Sequence, residues 1–245
     1  MPRKQLRTRT AVLTYLVFWA FPLFASADES TSKDLPALKT FTAAYELEWD
    51  GPISLSGDTI RQLKKSPDNQ WVIESKASSM LASIYEKSNL ELFHDQLRPI
   101  HYIFKRSVLG KKRNVSIEFD WEANKATNNV ADKPWNMSVT PGVQDKLSYQ
   151  ILLQQQVAQG KTEFNFNVAD GGSLKEYKFK VDGKTEIEAP IGKYEAIKVK
   201  RIREKNSKRQ TYIWFAPELD YQIIKLMQIE KKDKAYTLLL KKLSP

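Results

Sequence analysis

Apolar and polar residues alternate with a period of two through most of this chain, a pattern that builds strands with one buried and one wet face. In "AYELEWD", Tyr45, Leu47 and Trp49 point one way and Glu46, Glu48 and Asp50 the other. "NVSIEFDW" sets Val115, Ile117 and Phe119 against Ser116, Glu118 and Asp120, and "KEYKFKVDGK" sets Tyr177, Phe179 and Val181 against Lys178, Lys180 and Asp182. "AIKVKRIRE" and "QTYIWFA" continue the theme. Asp50-Gly51, Asp170-Gly171-Gly172, Asp182-Gly183 and Gly110 supply the turn chemistry of hairpins. We expect roughly eleven to thirteen antiparallel strands. "ADKPWNMSVTPG", residues 131–142, is the longest irregular stretch and places Trp135 in a loop.

One segment breaks the alternation. "GVQDKLSYQILLQQQVAQG", Gly142 to Gly160, predicts a helix over 145–159. Asp145 can cap it by accepting from the free backbone N–H groups near Leu147 and Ser148, and Gly160 can take the left-handed position past its end. Leu147, Ile151, Gln154 and Ala158 form one stripe, widened by Leu152, Leu153 and Val157. A wide curved sheet cannot fill its concavity with its own side chains, so a helix supplies the missing apolar volume. The expected fold is all-β: a strongly curved antiparallel sheet or open β-barrel with one principal helix on the concave side.

The first 27 residues read as an export signal. Arg3, Lys4, Arg7 and Arg9 precede an apolar run of fourteen residues, and Ala25 and Ala27 stand at the −3 and −1 positions of a cut after Ala27. The run is short for a membrane span, which needs ~20 residues. Cleavage takes four basic residues and no acid from the chain, so the formal charge falls from +10 to +6. Residues 28–40 read as a flexible polar leader and 41–245 as a single β-rich domain. With no Cys, the exported chain has neither disulfides nor a lipid-attachment site, and its core must hold it. The expected location is the periplasm, with no transmembrane span in the mature protein.

Taken together, these residues resemble a bacterial family of exported proteins, domain of unknown function 3108. The resemblance runs from "YELEWDG" and the strand containing Gly57, through "LRPIHY" and "GVQDKLSYQILL", to "IEAPIGKYEAIKV" and "RQTYIWFAPELDYQIIKL". Lys146 and Gln222 stand where many members have Pro. The resemblance implies a fold and lends no catalytic residues. The order of elements is also similar to the lipoprotein-carrier folds of the bacterial envelope, an analogy of architecture alone.

No motif names a reaction. His94 and His101 flank a turn in "FHDQLRPIHY", where they could face each other across a hairpin, but no third ligand follows at a metal-site spacing. Asp145 and Ser148 could be half of a nucleophile site, yet there is no G-x-S-x-G elbow, and capping explains Asp145 without one. Glu46, Glu48 and Asp50 lie on a wet strand face, which leaves a hydrolase as the weakest reading. Residues 104–113 and 201–210 are basic; for an exported protein, solvated hairpin ends or anionic envelope surfaces suit them better than nucleic acid. Trp135 is either a plug in the barrel mouth or part of a ligand rim. We therefore expect no enzyme, cofactor or metal. The leading expectation is a binding or carrier protein for an amphipathic envelope ligand, whether lipid, lipoprotein or glycolipid. Trp135, Ile151 and Leu152 are its candidate ligand contacts, and Asp145 and Gly160 are structural caps. The rival is an envelope maintenance or assembly protein with a packed barrel that binds a protein or glycan partner. Oligomeric state is not legible in the sequence.

Overall fold

The computed structural model describes residues 37–50, 54–130, 133–204, 206–231 and 234–245. The expected export signal, residues 28–36 of the expected leader and the glycine of the expected Asp50-Gly51 turn lie outside them. Eight strands come first: β1 (Phe41–Asp50), β2 (Leu55–Lys65), β3 (Trp71–Ser79), β4 (Ala82–Phe93), β5 (Gln96–Val108), β6 (Lys111–Asp120), β7 (Lys125–Val130) and β8 (Lys133–Ser138). Helix α1 (Ser148–Ala158) follows. Six more strands complete the chain: β9 (Glu163–Asp170), β10 (Ser173–Ala189), β11 (Gly192–Ile202), β12 (Gln210–Ala216), β13 (Gln222–Lys231) and β14 (Lys234–Ser244).

Consecutive strands pair antiparallel, except β8 and β9, and β14 returns to pair with β1. Two meanders thus join into one fourteen-stranded sheet whose edges are β8 and β9. The sheet does not close. Register shifts at Ala44–Tyr45, Asn89–Leu90, Val181–Lys184 and Trp214–Phe215 add local twist and bend it.

Two local expectations are corrected. Asp182-Gly183 is not a hairpin turn. β10 runs through it as a bulge, with Gly183 at φ +99°, because both flanks keep pairing with β11. Residues 133–138 are not irregular either: they form edge strand β8, paired with β7. Pro134 is tolerated there because an edge strand has one side with no ladder to complete.

The segment from β8 to α1 covers part of the β9 edge. Gln144 bridges Val168 in parallel, donating its backbone N–H to the Asn167 carbonyl at 2.8 Å and accepting from the Ala169 N–H at 2.8 Å. The helix then lies against the concave side. Tyr149 meets the rings of Phe166, Tyr177 and Phe179 at 6.0, 5.3 and 5.6 Å between centroids. Ile151, Leu153 and Val157 are buried in the same core. No residue from Val143 to Gln159 is fully exposed. The helix is therefore at least partly covered all round rather than along one stripe, because the sheet curves around it. The last residues of the leader are docked: Leu38 packs on the core and the Lys39 ammonium is 3.0 Å from the Asp220 carboxylate.

Candidate functional site

The helix is anchored at its start by a buried polar knot. Asp145 Oδ1 accepts from the backbone N–H groups of Leu147 at 2.7 Å and Ser148 at 2.8 Å, and the Asp145 N–H donates to Ser148 Oγ at 2.8 Å. The exchange has the logic of a capping box, with Ser148 closing it. Asp145 Oδ2 accepts a short hydrogen bond from Ser88 Oγ on β4, and all three side chains are fully buried. Burial pushes the Asp145 carboxyl up to about 6, against the pull of its Ser88 and backbone hydrogen bonds. At its other end the helix stops in a Schellman turn. Gly160 stands at φ +83°, its N–H donates to Val157 O at 2.9 Å, and the Lys161 N–H reaches Gln156 O at 3.1 Å.

Beside the knot, Tyr102 donates to Glu86 at 3.2 Å, and the Lys146 ammonium stands 3.8 Å from the same carboxylate. Asp170 accepts from Lys175 and Tyr177, each at 3.0 Å. Burial opposes the Asp170 charge, but Lys175, Lys146 and the Tyr177 hydroxyl outweigh it and hold its pKa below the ordinary value.

The opposite end of the helix borders a cleft of about 790 Å³. Its walls are Leu38 and Phe41, Leu63 of β2, Leu219 and Tyr221 from the β12–β13 connection, Leu243 of β14, and Ile151, Gln154 and Ala158 of the helix. Gln154 also ties the helix to that connection, donating to the Asp220 carbonyl at 3.1 Å. The cleft is mainly apolar and falls within the size range of small-molecule sites.

The candidate ligand contacts separate. Ile151 lines the cleft, whereas Leu152 is half-buried against the core and does not. Trp135 is on β8, 50% exposed, and far along the sheet from the cleft. A Cβ added to Gly172 would come within 2.9 Å of Trp135 Nε1, so the indole lies against the β9–β10 turn. It marks the seam where the two sheet edges approach. Sequence reasoning missed Leu38, Leu63 and Leu243 because each reads simply as strand core or leader. Only the return of β14 to β1 brings them together.

The histidines do not face each other. His94 sits in the β4–β5 turn at φ +48°, and His101 is further along β5 with Nε2 3.1 Å from Glu118. Among the described residues, no group of three or more His, Cys, Asp or Glu side chains converges, and no helix is long and apolar enough to cross a membrane.

A family model described as a protein of unknown function, DUF3108, matches residues 44–241. The chain belongs to the DUF3108 family. Its fold has a solved counterpart in a β-barrel-like protein of a second domain of unknown function, DUF1849, from Brucella abortus. The two are 11% identical with a TM-score of 0.57, over 84% of this chain and 98% of the other. At that identity the likeness speaks for the fold alone. A search of curated proteins found no match. Lys146 approaches Glu86 at 3.8 Å, and Gln222 opens β13 opposite Ala216.

Proposed function

We propose that this DUF3108 protein is a non-enzymatic periplasmic binding or carrier protein for an amphipathic envelope ligand such as a lipid, lipoprotein or glycolipid. The observation that carries this reading is the apolar cleft between the helix, the β12–β13 connection and the mouth of the sheet. An alkyl chain is a fitting occupant, since covering apolar surface yields ~25 cal/mol per Å². The periplasmic assignment rests on the export signal. The exported form is expected to begin at Asp28, as mass analysis of periplasmic protein would show. A chain retaining Met1 in the membrane fraction would overturn it.

Truncating the helix tests the binding role. Filled cores lose ~2–5 kcal/mol when Ile or Leu becomes Ala, because a void remains. Ile151 borders space already, so Ile151→Ala should cost nearer the transfer value of ~1–2 kcal/mol. It should also weaken binding of a long-chain lipid or apolar dye. Leu152→Ala should leave that binding intact. Denaturant melts with and without lipid read both quantities, because a ligand bound only by the folded state raises its stability. The rival reading, an assembly protein with a packed barrel, draws support from the interior under the helix, where Leu147, Leu153 and Val168 are almost inaccessible. If no lipid shifts the melt and Ile151→Ala costs the full core value, that reading replaces the carrier.

A further inference from the structure

We infer that the interior holds a site for an anionic oxygen group, a carboxylate or phosphate, formed by Arg61, Thr59, Arg201 and Arg203. The inference deepens the carrier reading, and rests on it insofar as the anion is the head of an amphiphile.

Arg61 is 5% exposed on the inward face of β2, yet among the described residues its guanidinium has no ion pair and no hydrogen bond, and its Nε is buried without a partner. Two residues away on the same face, Thr59 is 2% exposed and its hydroxyl is likewise unpartnered. Buried charge without compensation costs several kcal/mol in real proteins, so such a group calls for an explanation. Arg201 and Arg203 repeat the anomaly from β11 and just past its end. Both are half-buried, and both have a buried Nε with no acceptor. Arg201 stacks on Tyr177, its Cζ 3.2 Å from the ring centroid, and Arg203 donates to Thr211 Oγ1 at 3.2 Å. Burial, then the neighbouring charges of Arg201 and Arg209, lower the Arg203 pKa. Tyr149 of the helix packs at 5.3 Å on Tyr177, the ring under Arg201, and burial raises the pKa of its hydroxyl against the charges of Arg201, Arg61 and Arg203.

The nearby carboxylates are engaged elsewhere. Glu86 serves Tyr102 and Lys146, and Glu230 faces Arg209 at 3.3 Å. Planar guanidinium groups bind carboxylate and phosphate through paired N–H donors, and the Thr59 hydroxyl can add another. The site also stands in order with the cleft. Leu63 lines the cleft, and Arg61 is the next inward residue of β2, about 7 Å further into the sheet. An alkyl tail against Leu63 and Ile151 would point its head group toward Arg61. The basic β5–β6 and β11–β12 connections lie at the end of the alternating sheet opposite the cleft, so their field would draw an anionic head inward, past Leu63 toward Arg61.

The test compares dodecyl phosphate below its micelle concentration, dodecanol and inorganic phosphate by calorimetry, on the full mature protein and on Arg61→Met and Arg201→Met. Dodecyl phosphate should bind wild type, and each variant should lose affinity by about 10-fold or more. Arg61→Met should also raise the ligand-free melting temperature by about 2 °C or more, since it removes an uncompensated buried charge. An arginine serving the fold would lower it instead. Should Arg61→Met fail to fold, Arg61→Lys, which keeps the charge and loses the fork, must still weaken phosphate binding. Inorganic phosphate binding as tightly as dodecyl phosphate would uphold the anion site and overturn the carrier reading. Dodecanol binding as tightly as dodecyl phosphate, with the arginine variants unaffected, would overturn the anion site and leave the carrier standing. Absence of binding by either phosphate overturns the site.

Discussion

Replacing Asp145 with Ala is expected to lower stability by about 3–5 kcal/mol, because two backbone N–H groups and the Ser88 hydroxyl would be left buried without acceptors at ~1–3 kcal/mol each. An exposed helix cap is worth only ~1 kcal/mol. The difference arises because this carboxylate also joins the helix to β4. Against a typical total of ~5–15 kcal/mol, the loss is severe. Urea melts read it as a lower midpoint at unchanged slope. A loss under ~1 kcal/mol would show that the knot does not hold the helix to the sheet.

The same residue sets a pH dependence. The folded pKa of about 6 lies above the ordinary carboxyl value, so the folded state holds this proton more tightly than the unfolded chain does. The resulting stability is fully present below ~4 and is lost as pH rises through about 6. The melting temperature should fall across that window. Asp145→Asn keeps an oxygen for the two N–H groups but cannot titrate, so its profile should lack this component. Equal profiles for wild type and Asp145→Asn would mean that Asp145 does not titrate in the window.

Gly57→Ala is the second large effect. A Cβ at this position would lie 2.2 Å from the Ser78 carbonyl oxygen and 3.2 Å from Ser79 Cβ. The first contact is with backbone, so no side-chain rotation relieves it. The β2–β3 ladder, where Gly57 pairs with Ser79, would have to separate locally. We expect a loss of about 3 kcal/mol, at the upper end of overpacking costs, together with faster amide exchange in β2 and β3. Wild-type stability and exchange in this variant would show that the two strands have room to part.

The sequence alone determined the strand habit, the antiparallel pairing and the single helix. Those depend on local periodicity, on glycines such as Gly110 and Gly160, and on the short reach between Asp145 and the N–H groups it satisfies. The same local view misread Gly183, since a glycine with positive φ serves a turn and a bulge equally, and only the partner strand β11 distinguishes them. It misplaced Trp135 because a short edge strand containing Pro carries little periodicity. Tertiary structure decided the rest. The pairing of β14 with β1 gathers Leu38, Leu63, Ile151 and Leu243 from distant parts of the chain around one cleft. Curvature of the sheet covers the helix beyond the single apolar stripe read from the sequence. Arg61 was not legible in the sequence, because in β2 the apolar Ile60 faces out while Thr59 and Arg61 face in, and whether an inward arginine meets a carboxylate depends on which strands face it across the interior. That is set by long-range register, and no local spacing encodes it.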